Sequence, residues 1–284
     1  MIYYVGDIHG RVDDVAAIDR AAVAAGVEVV VQVGDFGVRW DGSCPIVRYF
    51  LKRDRQQRPG PTWYTCGGNH DNWPEWTRLQ AKQAEPGCAI DSSKTVELAP
   101  GCFYVPRGTT LDLDEKSHLF FGGAESIDKR MRVEGTSWWP EETPSAAEFQ
   151  QFFDSLVQAA PEIIITHEAP LCVELNRTGR DTQPTPRNLQ NALKHSKHTP
   201  ERWYFGHHHI LQSWVVNNID FHCCGFHGEY QSSWGGLYDV GPGANQSRLH
   251  ADADGEPHLD HALQGSQVEA YEEIIELHKT YGGD

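Results

Sequence analysis

Three things are scarce in this chain, and each scarcity excludes something. No uncharged apolar run reaches the ~18 residues that a membrane span needs, and no charged n-region with an apolar h-region precedes the first strand-like segment. The expectation is a cytoplasmic protein that does not enter a membrane. The cysteines Cys44, Cys66, Cys88, Cys102, Cys172, Cys223 and Cys224 are odd in number and show no C-x-x-C spacing. Such a set, with one adjacent pair, makes no disulfide framework, so reduced thiols are expected. Positive charge is short as well: 24 Lys and Arg stand against 40 Asp and Glu, for a formal charge of -16. Without a basic cluster there is no long nucleic-acid track, and anionic substrates are repelled at long range. A phosphate-handling site must therefore bring its own local positive charge, and metal ions are one supply.

What the chain does have is 284 residues with 39% hydrophobic content, enough to bury a full core in one large α/β domain. The apolar run Ile2 to Val5 opens into Gly6-Asp7-Ile8-His9-Gly10, a buried strand ending in a turn. An extended backbone there puts Asp7 and His9 on one side and Ile8 in the core. Val12 to Ala25 has helical spacing, and Val29 to Val33 is a second buried strand that ends at Gly34-Asp35-Phe36-Gly37. This βαβ order sets the two glycine-aspartate turns side by side at one sheet edge. After a helix over Ser43 to Arg55, broken by Pro59-Gly60-Pro61, the strand Thr62 to Cys66 runs into Gly67-Gly68-Asn69-His70-Asp71.

Further helices are expected over Trp73 to Gln83, over Ser145 to Ala159 with Ser145 and Glu148 as a capping box, and over Leu189 to His195. Strands are expected at Cys102 to Val105, His118 to Phe121, Glu162 to Thr166 and Arg202 to Phe205, the last two emptying into His167-Glu168-Ala169-Pro170 and Gly206-His207-His208-His209. Leu211 to Val216, Ile219 to Cys223 and Gly235 to Val240 read as antiparallel strands, with Asn217-Asn218 as a hairpin turn. Glu125 to Glu142 has no period and reads as a long functional loop. Gly241 to Gly265 reads as a flexible linker, and Ser266 to Tyr281 as an acidic amphipathic helix that packs on the body or on a partner.

Five strand ends thus carry Asp7 and His9, then Asp35, then Asn69 and His70, then His167, then His207 and His209. Carboxylate, carboxamide and imidazole together suit manganese, iron or zinc better than calcium. The donors are too many for one tetrahedral ion, whereas two ions sharing a ligand use them all. A carboxylate is the side chain here that can bridge, and Asp35 stands alone on its turn, so it takes that role. Between two such ligands, His208 should point away from them.

In this order, GDIHG, GDFG, GGNHD, THEAP and GHHH resemble the boxes of the calcineurin-like metallophosphoesterase superfamily, spread over residues 6 to 209. The resemblance implies an α/β fold in four layers, two mixed β-sheets packed together and flanked by helices, with a dinuclear site at the strand ends. Carried over position by position, it gives Asp7, His9 and His209 to one divalent ion, Asn69, His167 and His207 to the other, and Asp35 to both. Residues 1–240 would be the catalytic domain, 241–265 the linker and 266–284 the acidic helix, a surface through which copies could associate. The expected reaction is attack on phosphorus by a hydroxide held between the ions, with His70, which adjoins a ligand without being one in this family, as general acid.

Departures from the pattern bear on the substrate. The protein Ser/Thr phosphatase branch reads GD-x-VDRG in the second box and GNHE in the third; here Val38 replaces the carboxylate that supports the acid histidine, Arg39 is kept, and Asp71 replaces the glutamate. A small phosphodiester or phosphomonoester is therefore the expected substrate, gripped by Arg39, Arg130 or Arg132. A cyclic or other nucleotide phosphodiester is preferred because Trp138 and Trp139 offer rings for a base. A protein phosphatase is the rival enzyme. A non-catalytic scaffold binding a partner through the C-terminal helix is the rival of another class, and such a protein should have lost ligands.

Overall fold

The computed structural model describes residues 1–38, 43–83, 94–175, 179–225, 236–239, 247–251 and 257–259. Strand β1 (Ile2–Val5) sends Tyr3 and Val5 into a core with Val15, Ile18, Phe50 and Trp63, and sends Ile2 and Tyr4 into another with Val31, Ile165 and Tyr204. A strand with no polar face belongs inside a sheet covered on both sides. It pairs in parallel with β2 (Val29–Gln32), which pairs in parallel with β3 (Thr62–Thr65). Beyond β3 come β5 (Cys102–Tyr104), parallel to it, and β4 (Val96–Ala99), antiparallel at the edge. Helices α1 (Val12–Ala24), α2 (Pro45–Arg55) and α3 (Trp73–Gln83) contribute Val15, Ile18, Phe50 and Trp76 to the first core.

The second sheet runs β10 (Leu211–Val216), β11 (Ile219–Cys224), β9 (Arg202–Phe205), β8 (Ile163–Thr166), β7 (Lys116–Phe121), β6 (Thr109–Leu113). Its outer face packs on α4 (Ala146–Ala159) and α5 (Pro184–Ser196) through Phe152, Leu156, Leu189 and Leu193. Its inner face supplies Phe120, Ile163, Ile165 and Tyr204 to the core between the sheets, where Tyr4 and Tyr204 stack at 3.6 Å between ring centroids. The layers are helices, sheet, sheet, helices, as the resemblance implies.

Two short edge strands, β4 and β6, were not expected. Each borders a parallel sheet as an antiparallel partner and carries an exposed acid, Glu97 or Asp112, which interrupts the apolar signal. Helix α5 begins at Pro184 rather than Leu189, because proline suits a first helical turn as well as a break. Strand β12 (Gly236–Asp239) is antiparallel as expected, but its partner is β1 of the first sheet. Within 241–265, read as a linker, β13 (Ser247–Ala251) and β14 (Pro257–Leu259) extend that sheet. The helix expected over 266–281 lies outside the described residues. Among the described residues, Cys66, Cys102, Cys172, Cys223 and Cys224 are thiols outside any disulfide. No helix among the described residues is long and apolar enough to cross a membrane.

The capping box at α4 is formed as read: Ser145 Oγ accepts from Glu148 N at 3.3 Å, and Ser145 N donates to Glu148 Oε2 at 2.7 Å. Ser145→Ala is expected to cost about 1 kcal/mol, seen as a lower urea midpoint with an unchanged slope. An unchanged midpoint would mean that the cap contributes nothing.

Candidate metal centre

The carboxyl ends of β1, β2 and β3 in one sheet and of β8 and β9 in the other meet at one edge of the sandwich. Backbone bonds lace them together: Ile8 N and His9 N donate to Asp35 O at 3.1 and 2.8 Å, Gly10 N to Phe36 O at 3.0 Å, and Gly206 N to His167 O at 3.1 Å. Beneath them the buried Gln32 side chain donates to Gly6 O and Gly34 O and accepts from Gly34 N and the Thr65 hydroxyl. One amide thus ties three strand ends.

Those ends hold their donors on strained backbone. His9, Asp35, His207 and His209 have φ values of 51°, 56°, 65° and 53°, a left-handed region that is costly for residues with a Cβ. The extended backbone expected at Asp7-Ile8-His9 is therefore corrected. Ile8 is fully buried, but the left-handed turn at His9 is what brings its Nε2 to 4.0 Å from Asp7 Oδ2. Glycine is required beside these groups, since a Cβ on Gly68 would lie 2.0 Å from Asp35 Oδ1 and one on Gly206 2.2 Å from Asp7 Oδ1.

The seven side chains singled out by sequence converge. Asp35 Oδ2 lies 3.4 Å from His167 Nε2 and 3.7 Å from His9 Nε2, and His209 Nε2 lies 3.0 Å from Asp7 Oδ2. Asn69 Oδ1 lies 3.0 Å from His167 Nε2 and 2.8 Å from His207 Nδ1. Two overlapping groups, Asp7 with His9 and His209 and Asp7 with Asp35 and His167, each gather their donor atoms within 4.8 Å. Asp7 belongs to both, a sharing expected from sequence of Asp35 alone.

Charge tests the fit to a cation. Against burial, which by itself would raise it, the charge of His167 leads those of its neighbours in holding Asp35 well below the usual carboxylate range. Burial likewise opposes a charge on His167, yet Asp35 and Asp7 raise its imidazole to about 10. Two carboxylates buried among histidine rings recruit a proton when nothing else neutralises them, and a divalent cation answers the same need. Oxygen and imidazole nitrogen donors suit manganese, iron or zinc.

The surroundings contain residues that sequence reading passed over. Asp71, noted there only as a departure, accepts from Phe36 N, Gly37 N, Val38 N and Gly68 N at 2.8 to 3.3 Å, clamping the second box to the third. Ser126 Oγ accepts from Asn69 Nδ2 at 3.0 Å and donates to Glu142 Oε2 at 2.8 Å, so the Asn69 oxygen faces the histidines. Glu168, inside a box yet without an assigned role, accepts from His208 Nε2 at 2.7 Å. Only its place directly after His167 marked it.

The substrate candidates part company. Arg132 Nη2 lies 2.8 Å from His70 Nδ1, while Arg130 is exposed on the turn Lys129–Met131. Arg39 lies outside the described residues. Trp139 is only 7% exposed and belongs to the first core, so it is unavailable to a base; Lys129 Nζ sits 5.8 Å from the centre of the Trp138 ring. His70 is mostly buried, and burial, with the nearby His9 and Arg132, holds its imidazole below its ordinary value against the pull of Asp35.

The family model for calcineurin-like phosphoesterases matches residues 1–225. No curated protein matches the chain. Among solved structures, GAP50, the anchor in the inner membrane complex of Plasmodium, is 11% identical with a TM-score of 0.51, covering 96% of this chain and 94% of that one. TT1561 of Thermus thermophilus is 12% identical, with a TM-score of 0.48 over 91% of this chain and 98% of that one. The 5'-nucleotidase from Candida albicans is 13% identical, with a TM-score of 0.44 over 98% of this chain and 57% of that one. At 11% identity the likeness to GAP50 shows a shared fold alone.

Proposed function

The chain belongs to the calcineurin-like phosphoesterase family and is a metal-dependent phosphoesterase, and on that premise we propose that it hydrolyses a small phosphodiester or phosphomonoester at a two-cation centre. The observation that carries the reading is Asp35 Oδ2, set between His167 Nε2 and His9 Nε2 at 3.4 and 3.7 Å. In this reading Asp7, His9 and His209 hold one cation, Asn69, His167 and His207 the other, and Asp35 both. When bound, such cations supply an activated water and neutralise phosphoryl charge.

The chain's own residues do the rest. His70 stands beside the donors on the Asn69 turn, with its backbone N donating to Asp35 Oδ1 at 2.7 Å. Its ring rests neutral beside Arg132. An arriving phosphate, being anionic, raises that ring's affinity for a proton, which it then gives to the departing oxygen. The Arg132 guanidinium, its side chain only 7% exposed and fixed by Asp128 Oδ2 at 2.9 Å, adds positive charge beside the His70 ring. Val38 is 1% exposed and packed in the first core. The position that carries a supporting carboxylate in protein phosphatases thus serves packing here, which favours the small ester.

Metal-stripped protein reloaded separately with manganese, iron and zinc should hydrolyse p-nitrophenyl phosphate or bis(p-nitrophenyl) phosphate faster than a phosphopeptide. A reversed preference would make it a protein phosphatase. His70→Ala is expected to keep its metal and lose about 10²- to 10⁴-fold in kcat, most for poor leaving groups. Equal rates in steady-state assays would remove the acid role.

A further inference from the structure

Among the described residues, eight large hydrophobic side chains are exposed, and three of them, Ile127 at 68%, Met131 at 84% and Val133 at 63%, fall within one short segment. None of the three joins any of the three cores. Their segment is held by other means. Lys129 N donates to Ser126 O, Met131 N to Asp128 O and Arg132 N to Lys129 O, at 2.8 to 3.4 Å, and Asp128 fixes Arg132.

Both ends of this segment are fastened to the metal centre. At one end Ser126 Oγ receives Asn69 Nδ2, and at the other Arg132 Nη2 meets the His70 ring. The His70 ring stands edge-on to His9 at 5.0 Å and His9 edge-on to His209 at 5.5 Å. The residue after His209 is Ile210, another of the exposed hydrophobics. Exposed apolar residues thus stand in segments tied to a row of histidines, and one of those segments also carries Lys129, Arg130 and Arg132 in a chain whose formal charge is -16.

We propose that Ile127, Met131 and Val133 form a substrate-selecting rim that receives an aliphatic group carried by the phosphoester. This rests on the phosphoesterase reading and narrows it to amphiphilic esters. Lone exposed hydrophobics need no explanation, but three in one segment whose two ends are fastened to a site do. The group is aliphatic rather than a base because branched chains and a thioether give no ring to stack on, and Trp139 is buried. The basic residues meet the phosphate end and the apolar ones its tail. An anionic bilayer fits less well, since the whole chain would be repelled from it.

The test is a homologous series of p-nitrophenyl alkyl phosphates, from methyl to octyl and kept below their micellar concentrations, assayed with the metal-loaded full chain. Burying methylenes should raise kcat/KM by about 2- to 4-fold per carbon over the first few. The triple variant Ile127→Ser, Met131→Ser, Val133→Ser should lose most of that slope, with metal content and far-ultraviolet dichroism checking its fold. A wild type that hydrolyses the methyl ester with no chain-length dependence would overturn the rim and leave the phosphoesterase reading standing. So would a triple variant with the wild-type slope. Hydrolysis of none of them while p-nitrophenyl phosphate is cleaved would overturn the rim alone, and hydrolysis of neither the series nor p-nitrophenyl phosphate with any metal would overturn both. A flat series together with a wild-type dimer that the triple variant dissociates, seen by sedimentation, would reassign the patch to self-association.

Discussion

Asp35→Asn should lose both cations and about 10²- to 10³-fold or more of kcat/KM. The substitution keeps one oxygen, which can still take the His70 N–H that Asp35 Oδ1 accepts at 2.7 Å. What it replaces is the oxygen between His9 and His167, putting there an amide nitrogen that has no lone pair for a metal and donates into rings already placed as donors. Elemental analysis after dialysis reads the outcome directly. Loss of a single ion would pass the shared role to Asp7, which lies in both donor groups, and unchanged metal content would refute any bridge. The pH dependence follows from the same pair. In the ion-free protein His167 holds a proton up to about 10 because Asp35 and Asp7 face it. A cation must displace that proton, so metal affinity should climb as pH rises from 6 towards about 10, with protons released on binding.

The candidate metal centre was readable in the sequence for a physical reason. A buried parallel strand is a short apolar run, and glycines mark where neighbouring backbone and side chains crowd its end. Gly34, Gly68 and Gly206 each face a proposed donor or its neighbour so closely that a Cβ would collide. Periodicity and glycine therefore located β1, β2, β3, β8 and β9 together with their polar tips. Less readable was anything built by contact between distant segments. Ser126 follows no box, yet it orients the Asn69 amide from 57 positions away. Asp71 looked like a conservative replacement, and its role depends on four amide groups whose arrangement exists only after β2 and β3 pair. Trp139 shows the reverse failure, an aromatic ring in a loop that suggested a ligand and packs into a core. Edge strands β4 and β6 escaped because an exposed acid breaks their apolar signal, and packing decides such strands more than propensity does.

Glu168→Gln is expected to weaken one cation by about 10- to 100-fold while leaving the other in place. Glu168 is 1% exposed, and its Oε1 receives His208 Nε2 at 2.7 Å, Arg180 Nη2 at 3.1 Å and Ala169 N at 2.8 Å. Burial opposes its charge, but His208, His207 and Arg180 hold the carboxyl far below its ordinary value. The second oxygen, Oε2, lies 3.7 Å from His207 Nε2. The opposite nitrogen of that ring, Nδ1, faces Asn69 Oδ1 at 2.8 Å. At that distance the carboxylate acts on the His207 ring through its charge, while Nδ1 lies against Asn69 Oδ1 among the proposed donors. Glutamine keeps the volume and can still accept through an oxygen, so it removes charge with little loss of packing. Alanine would instead strand Arg180 in the interior, at a cost of about 3–5 kcal/mol, and would confuse folding with binding. Calorimetric titration of the stripped protein should therefore show two unequal sites in Glu168→Gln. If both sites keep their wild-type affinity, Glu168 supports the fold and takes no part in holding His207 for the metal.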